Sequence, residues 1–104
     1  MAIISALITT SAANIYVSNG NTAITFLSIT NYSNDNALAN VHVVESGSSA
    51  NVQNQVLTNL EITAGETYQF YAGGEKLLLE NDQAIVMLAN ANSKLSAVTS
   101  YTSI

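Results

Sequence analysis

This chain contains no cysteine, no proline and no tryptophan. Without cysteine, disulfides and thiolate metal sites are excluded outright. Lysine and arginine together number 2, Lys76 and Lys94, against 7 acidic residues, for a formal net charge of −5. A protein that neutralises several phosphates needs clustered basic side chains. Nucleic acid is therefore not an expected partner, and the same arithmetic disfavours anionic membrane surfaces. Nothing approaches the roughly 18 consecutive apolar residues of a membrane span. The opening Met1 to Ile8 has no basic n-region, and Thr9, Thr10 and Ser11 interrupt it before a signal-peptide core forms. The expectation is a protein made and used in a cytosol, or assembled there into something larger, with no membrane partner.

Charged residues are 9% of the chain, against about 25% in an average soluble protein. Asn, Ser and Thr together supply 35 of the 104 residues, and 48% are hydrophobic. Such a surface is polar but nearly uncharged. It offers little repulsion against association, so neighbours are expected to cover much of it. The length fits one domain spanning residues 1–104, large enough to bury roughly 60–70% of the surface exposed by the unfolded chain.

No segment shows a good 3.6-residue period, whereas period-two patterns and turn signals recur about every eight to twelve residues, the spacing of an all-β sandwich. The expected fold is a single-domain antiparallel β-sandwich or jelly roll of about eight strands. The stretch Ile62 to Val86 is read as its organising element, three short strands separated by turns at Ala64-Gly65-Glu66 and Ala72-Gly73-Gly74. Tyr68 and Phe70 should share a face there, and Leu77 to Leu79 should form a buried strand. Ala2 to Thr10 is the first strand. Asn19-Gly20 signals a primed hairpin turn, pairing Ile15 to Val17 with Thr22 to Thr30. In that second strand the apolar positions pass from Ile24 and Phe26 to Leu27 and Ile29, a parity change that predicts a bulge near Phe26-Leu27. Leu38 to Glu45 should place Ala39, Val41 and Val43 on one face and His42 and Val44 on the other. Ser46 to Asn51 reads as a flexible loop with nothing to bury, followed by a strand from Val52 to Leu57. Asn90 to Ser93 should close a last hairpin between Ala84 to Ala89 and Leu95 to Ser103.

Few residues bear on chemistry. His42 is the sole histidine and has no Cys with which to build a zinc site or triad partners at a defined spacing, so it reads as an outward-facing or hydrogen-bonded strand residue. Glu80, Asp82 and Glu75 read as solvated turn carboxylates, since acid–base work needs a cleft and shifted pKa values. Asn31, Asn34, Asp35 and Asn36 could offer oxygens to calcium, but the order of an EF-hand loop and its bidentate Glu are missing. Asn31-Tyr32-Ser33 is formally a glycosylation sequon. Gly73-Gly74-Glu75-Lys76 lacks the spacing, the following Ser or Thr and the helix of a phosphate loop, and reads as a turn. No catalytic, cofactor-binding or metal residue is expected, and no cofactor.

Five segments taken in order, Ala12 to Tyr16, Thr22 to Asn31, Ile62 to Tyr68, Gly74 to Ile85 and Ser100 to Ile104, resemble small structural proteins of tailed-phage virions, especially of phages infecting cyanobacteria. The resemblance implies a non-enzymatic β-sandwich in the virion, assembled in the host cytoplasm. Capsid decoration, as a cement protein stabilising the major capsid protein shell, is the favoured place, with a neck, tail or fibre component as the alternative. A homo-oligomer is expected, a trimer favoured, with Ala2 to Thr10 or Leu95 to Ile104 in the contact. A reading from another class is a carbohydrate-binding sandwich using Tyr16, Tyr32 or Tyr71 as stacking platforms.

Overall fold

The computed structural model describes residues 2–70 and 77–104. Its nine strands are β1 (Ala2–Ile8), β2 (Ala13–Val17), β3 (Thr22–Asn31), β4 (Ala37–Val44), β5 (Gln55–Ile62), β6 (Thr67–Phe70), β7 (Leu77–Leu79), β8 (Ala84–Ala89) and β9 (Leu95–Ser103), with no helix among the described residues. Two antiparallel sheets result. Sheet A runs β1-β9-β3-β6, with β7 also paired to β3, and sheet B runs β2-β8-β4-β5. The pairings nest: β1 with β9, β2 with β8, β3 with β6 and β7, β4 with β5. A chain folded back on itself as one long ribbon and then rolled gives this connectivity, which is that of a jelly roll.

Alternation along each strand supplies the core between the sheets. Ile8, Ile24, Leu27, Ile29, Leu79, Ile85, Met87 and Leu95 are all but fully buried there, each contributing about 1.5–3 kcal/mol through removal of its side chain from water. Tyr16 of sheet B meets Tyr101 of sheet A with ring centroids 4.4 Å apart.

The expected bulge is present one to two residues earlier than its sequence position. Ile24 pairs with Tyr101 and Phe26 with Ser100, so Thr25 is the extra residue. It flips parity, which turns Phe26 outward while Ile24, Leu27 and Ile29 all reach the core. Side chains fasten the irregularity: Thr99 Oγ1 donates to the Phe26 carbonyl at 2.9 Å, and the Thr25 and Ser100 hydroxyls lie 2.8 Å apart.

Four expectations are corrected. Asn19-Gly20 does not close a hairpin, because β2 lies in sheet B and β3 in sheet A. Gly20 has φ +74° but Asn19 is not in the left-handed region, so the two successive positive φ values of a type I′ turn are missing. Instead the turn is tied to the loop before β8, with Ser18 N–H donating to the Gln83 carbonyl, Asp82 N–H to the Ser18 carbonyl and Gly20 N–H to Asn81 Oδ1. These bonds carry the chain across from one sheet to the other. The segment 90–93 likewise crosses between sheets rather than forming a hairpin, held by Ala89 N–H to the Thr9 carbonyl and Leu38 N–H to Asn90 Oδ1.

The strand expected over Val52 to Leu57 is β5, beginning at Gln55 and running on through Leu60 and Ile62. Val52 is 84% exposed in a turn where Gln53 N–H donates to Asn51 Oδ1, the local side-chain bond that competes with a strand ladder. Finally, the segment proposed as the organising element forms an edge of sheet A, since β6 and β7 pair only along β3. Of Leu77 to Leu79, Leu79 is buried but Leu78 is 63% exposed. The turn at Ala72-Gly73-Gly74 lies outside the described residues. Tyr68 and Phe70 do share a face, with ring centroids 5.5 Å apart.

Candidate functional site

The outer faces of the two sheets differ in what covers them. On sheet B, His42, Val44, Ala84 and Val86 point away from the core, yet all four are buried. The loop 45–54 does the covering. Ala50 packs on Val44, Ala84 and Val86, and Asn54 Oδ1 lies 2.8 Å from His42 Nδ1. That oxygen also accepts from Asn51 N–H, so it is the acceptor and His42 Nδ1 carries the proton toward it. His42 is thus a hydrogen-bonded strand residue that fastens a loop, and the loop expected to have nothing to bury buries part of sheet B. A depression of about 260 Å³ remains beside it, lined by Glu45 and Asp82 among apolar and small side chains.

Among the described residues no loop is laid over sheet A in this way. Its outward positions follow from the register: Ile3, Ser5 and Leu7 on β1, Ser96, Val98, Ser100 and Thr102 on β9, Phe26, Ser28 and Thr30 on β3, Leu78 on β7. Ile3 is 73% exposed and Leu7 66%. No residue of β1, β3, β6, β7 or β9 is Asp, Glu, Lys, Arg or His. The face is therefore a field of hydroxyls with apolar side chains set among them, and the charges of the described residues stand in the connecting loops or on β5. A bare sheet face without charge desolvates cheaply. It is the part of the surface best fitted to rest against another protein.

The residues singled out from sequence fall elsewhere. Asn31 is fully buried, and its amide is consumed by the fold: Nδ2 donates to the carbonyls of Asp35 at 2.7 Å and Ile62 at 2.9 Å, while Oδ1 accepts from Ser33 N–H and Oγ. The amide pins the β3–β4 loop and offers nothing to calcium or a glycosyl transferase. Asn34, Asp35 and Asn36 are exposed. Asp35 lies 3.6 Å from a half-buried Lys94, and with the carboxylate open to solvent the pair has small energetic weight. Asn36 Oδ1 accepts from Ala64 N–H. Glu80 and Asp82 are exposed in the turn before β8, where Asp82 has φ +66°. Among the described residues no group of three or more His, Cys, Asp or Glu is placed to hold a metal ion.

Of the tyrosines considered for sugar stacking, Tyr16 is buried against Tyr101 with its hydroxyl 3.1 Å from Thr22 Oγ1, and Tyr32 is 49% exposed. Tyr71, Glu75 and Gly73-Gly74-Glu75-Lys76 lie outside the described residues. The uncharged face of sheet A was not foreseen, although its signal stands in the sequence as long charge-free strands. Seeing it requires knowing which strands share a sheet. Comparison with protein-family models, with curated proteins and with solved structures finds no match to this chain.

Proposed function

We propose that this chain is a non-enzymatic structural component of a tailed-phage virion, placed on the capsid as a decoration protein that binds and stabilises the shell of the major capsid protein. The observation that carries the reading is the outer face of sheet A, free of charge and of a covering loop among the described residues, on a jelly-roll frame whose other outer face is partly covered by its own loop. Jelly rolls recur in viral capsid domains, and fold analogy of this kind raises the expectation without assigning the function. A binding face of hydroxyls and uncharged apolar side chains suits a shell surface. It loses little conformational entropy on docking and leaves no charge unpaired.

The experiment is antibody labelling of intact particles with serum raised against the purified protein, together with inspection of the genes beside its own. Label spread over the head, with a capsid or tail gene adjacent, is the expected result. Label confined to neck, tail or fibre would transfer the chain to the alternative place in the particle. A chain that accumulates in host cells and is absent from particles would end the virion reading.

A further inference from the structure

Each sheet has two edges, and among the described residues every edge strand but β1 is blunted, the three-residue β7 included. β2 carries a register shift between Asn14 and Tyr16. β5 carries two, together with Asn59 at φ +48° and the charged Glu61. β6 is four residues long. Bulges, charges and shortness are the usual defences of an edge against pairing with another chain. β1 has none of them. It runs seven residues in unbroken register with β9, Ala2 opposite Tyr101 through Ile8 opposite Leu95, and contains no charged residue. Its other edge has no strand beside it among the described residues.

The geometry points to a second copy of this chain as the occupant of that edge, through antiparallel pairing of β1 with β1 about a two-fold axis at Ser5. An axis normal to the sheet keeps outward residues outward, so odd positions must oppose odd ones. Centring on Ser5 sets Ser5 against itself, Ile3 against Leu7, Ile4 against Ala6 and Ala2 against Ile8. Each pair is chemically matched. The exposed Ile3 and Leu7 cover one another, hydroxyl meets hydroxyl at the axis, and the core-side pairs set a large side chain against a small one. Apolar cross-strand pairs of this kind stabilise a ladder, and no like charges meet across it. A groove of about 530 Å³, lined in part by Ile4 of β1, Tyr16 of β2 and Tyr101 of β9, adjoins the same strand. Sheet A becomes continuous through both copies, and its charge-free face doubles in extent. The inference stands on the edge alone and is independent of the virion reading. It specifies two-fold self-association in place of the trimer expected from the resemblance.

Because the chain has no cysteine, single substitutions report the register cleanly. Opposed residues of an antiparallel pair have Cβ atoms about 4.5–5.5 Å apart, near enough for a disulfide after slight adjustment. Ser5→Cys is therefore expected to cross-link to a dimer under mild oxidation. Ile3→Cys alone is not, since its two copies would lie four residues apart along the strand, about 14 Å, yet an equimolar mixture of Ile3→Cys and Leu7→Cys should cross-link. The unmodified protein should sediment as a dimer at micromolar concentration. Ser5→Lys, which puts like charges face to face at the axis on an exposed position, should sediment as a monomer with an unchanged far-ultraviolet circular dichroism spectrum. Should that variant fail to fold, the cysteine pattern decides. A protein that stays monomeric through the micromolar range, that forms a trimer, or that cross-links as readily through Ile3→Cys alone as through Ser5→Cys overturns the inference.

Discussion

Replacing Asn31 by Asp changes one group in a fully buried side chain and tests whether the fold consumes that amide. In the parent, Nδ2 donates to the Asp35 and Ile62 carbonyls at 2.7 and 2.9 Å. The carboxylate of Asn31→Asp has the same shape but presents an oxygen to two carbonyl oxygens. Both donations are lost: the Ile62 carbonyl loses a buried partner at about 1–3 kcal/mol, the Asp35 carbonyl keeps the bond from Ser33 Oγ, and a charge is enclosed without a cationic partner. The bonds that Oδ1 accepts from Ser33 N–H and Oγ survive and strengthen somewhat with charge. The net expectation is a loss of about 3 kcal/mol at neutral pH. For a domain of this size that lowers Tm by roughly 10–25 °C. The sign of the pH dependence follows from linkage. Enclosure raises the introduced carboxyl above its unfolded pKa of about 3.9, so between the two values the folded state holds more protons than the unfolded state, and stability falls as pH rises. The gap between variant and parent should narrow as pH is lowered toward 4, where a protonated oxygen regains one donation. Thermal unfolding followed by circular dichroism from pH 4 to 8 measures this, with Asn34→Asp, an exposed neighbour, as a control expected within about 0.5 kcal/mol of the parent. A variant as stable as the parent at neutral pH would refute the structural assignment of Asn31 and return it to the list of free ligands.

The turn at Gly20 and the bulge at Thr25 give two further tests. Gly20→Val should cost about 1–2 kcal/mol, because φ is +74° and a Cβ there meets nothing within 4 Å, which leaves backbone strain as the whole cost; unchanged thermal stability would contradict the observed turn. Thr99→Val, nearly isosteric, removes the donation to the Phe26 carbonyl and should destabilise by about 1–2 kcal/mol, measured as a shift in the urea midpoint. No shift would mean that another group satisfies the bulge.

What was legible in the sequence was whatever a strand shows by itself. Alternation gave the shared face of Tyr68 and Phe70, and the parity change from Ile24 to Leu27 gave the bulge within two residues of its place. Partnership was not legible. Asn19-Gly20 satisfies the local requirements of a hairpin, and what defeats the hairpin is remote: Asn81 and Gln83, some sixty residues onward, draw the turn across the sandwich. Val52 looked apolar enough to start a strand, but Asn51 and Asn54 bond the backbone of their own loop. The candidate site shared this limit. Asn31 looked like a surface ligand because its neighbours are polar, and its burial depends on Ile62 arriving from β5. The charge-free face exists only once β1, β9 and β3 lie side by side, and they come from the beginning, the end and the first third of the chain.

The nested pairing also governs how the protein comes into being on the ribosome. β9 sits between β1 and β3 and bonds to both, so β1 has no permanent neighbour in its sheet, and β3 only β6 and β7, until β9 has been made. Closing so long a stretch of chain carries its entropic cost before most contacts return it, the situation in which folding is slow. Throughout elongation two β-branched, uncharged ribbons wait with open edges, and a chain this poor in charge has little to hold neighbouring copies apart. Translation of β9 is therefore the committing event, and chaperones have the whole preceding interval in which to shelter the growing polypeptide.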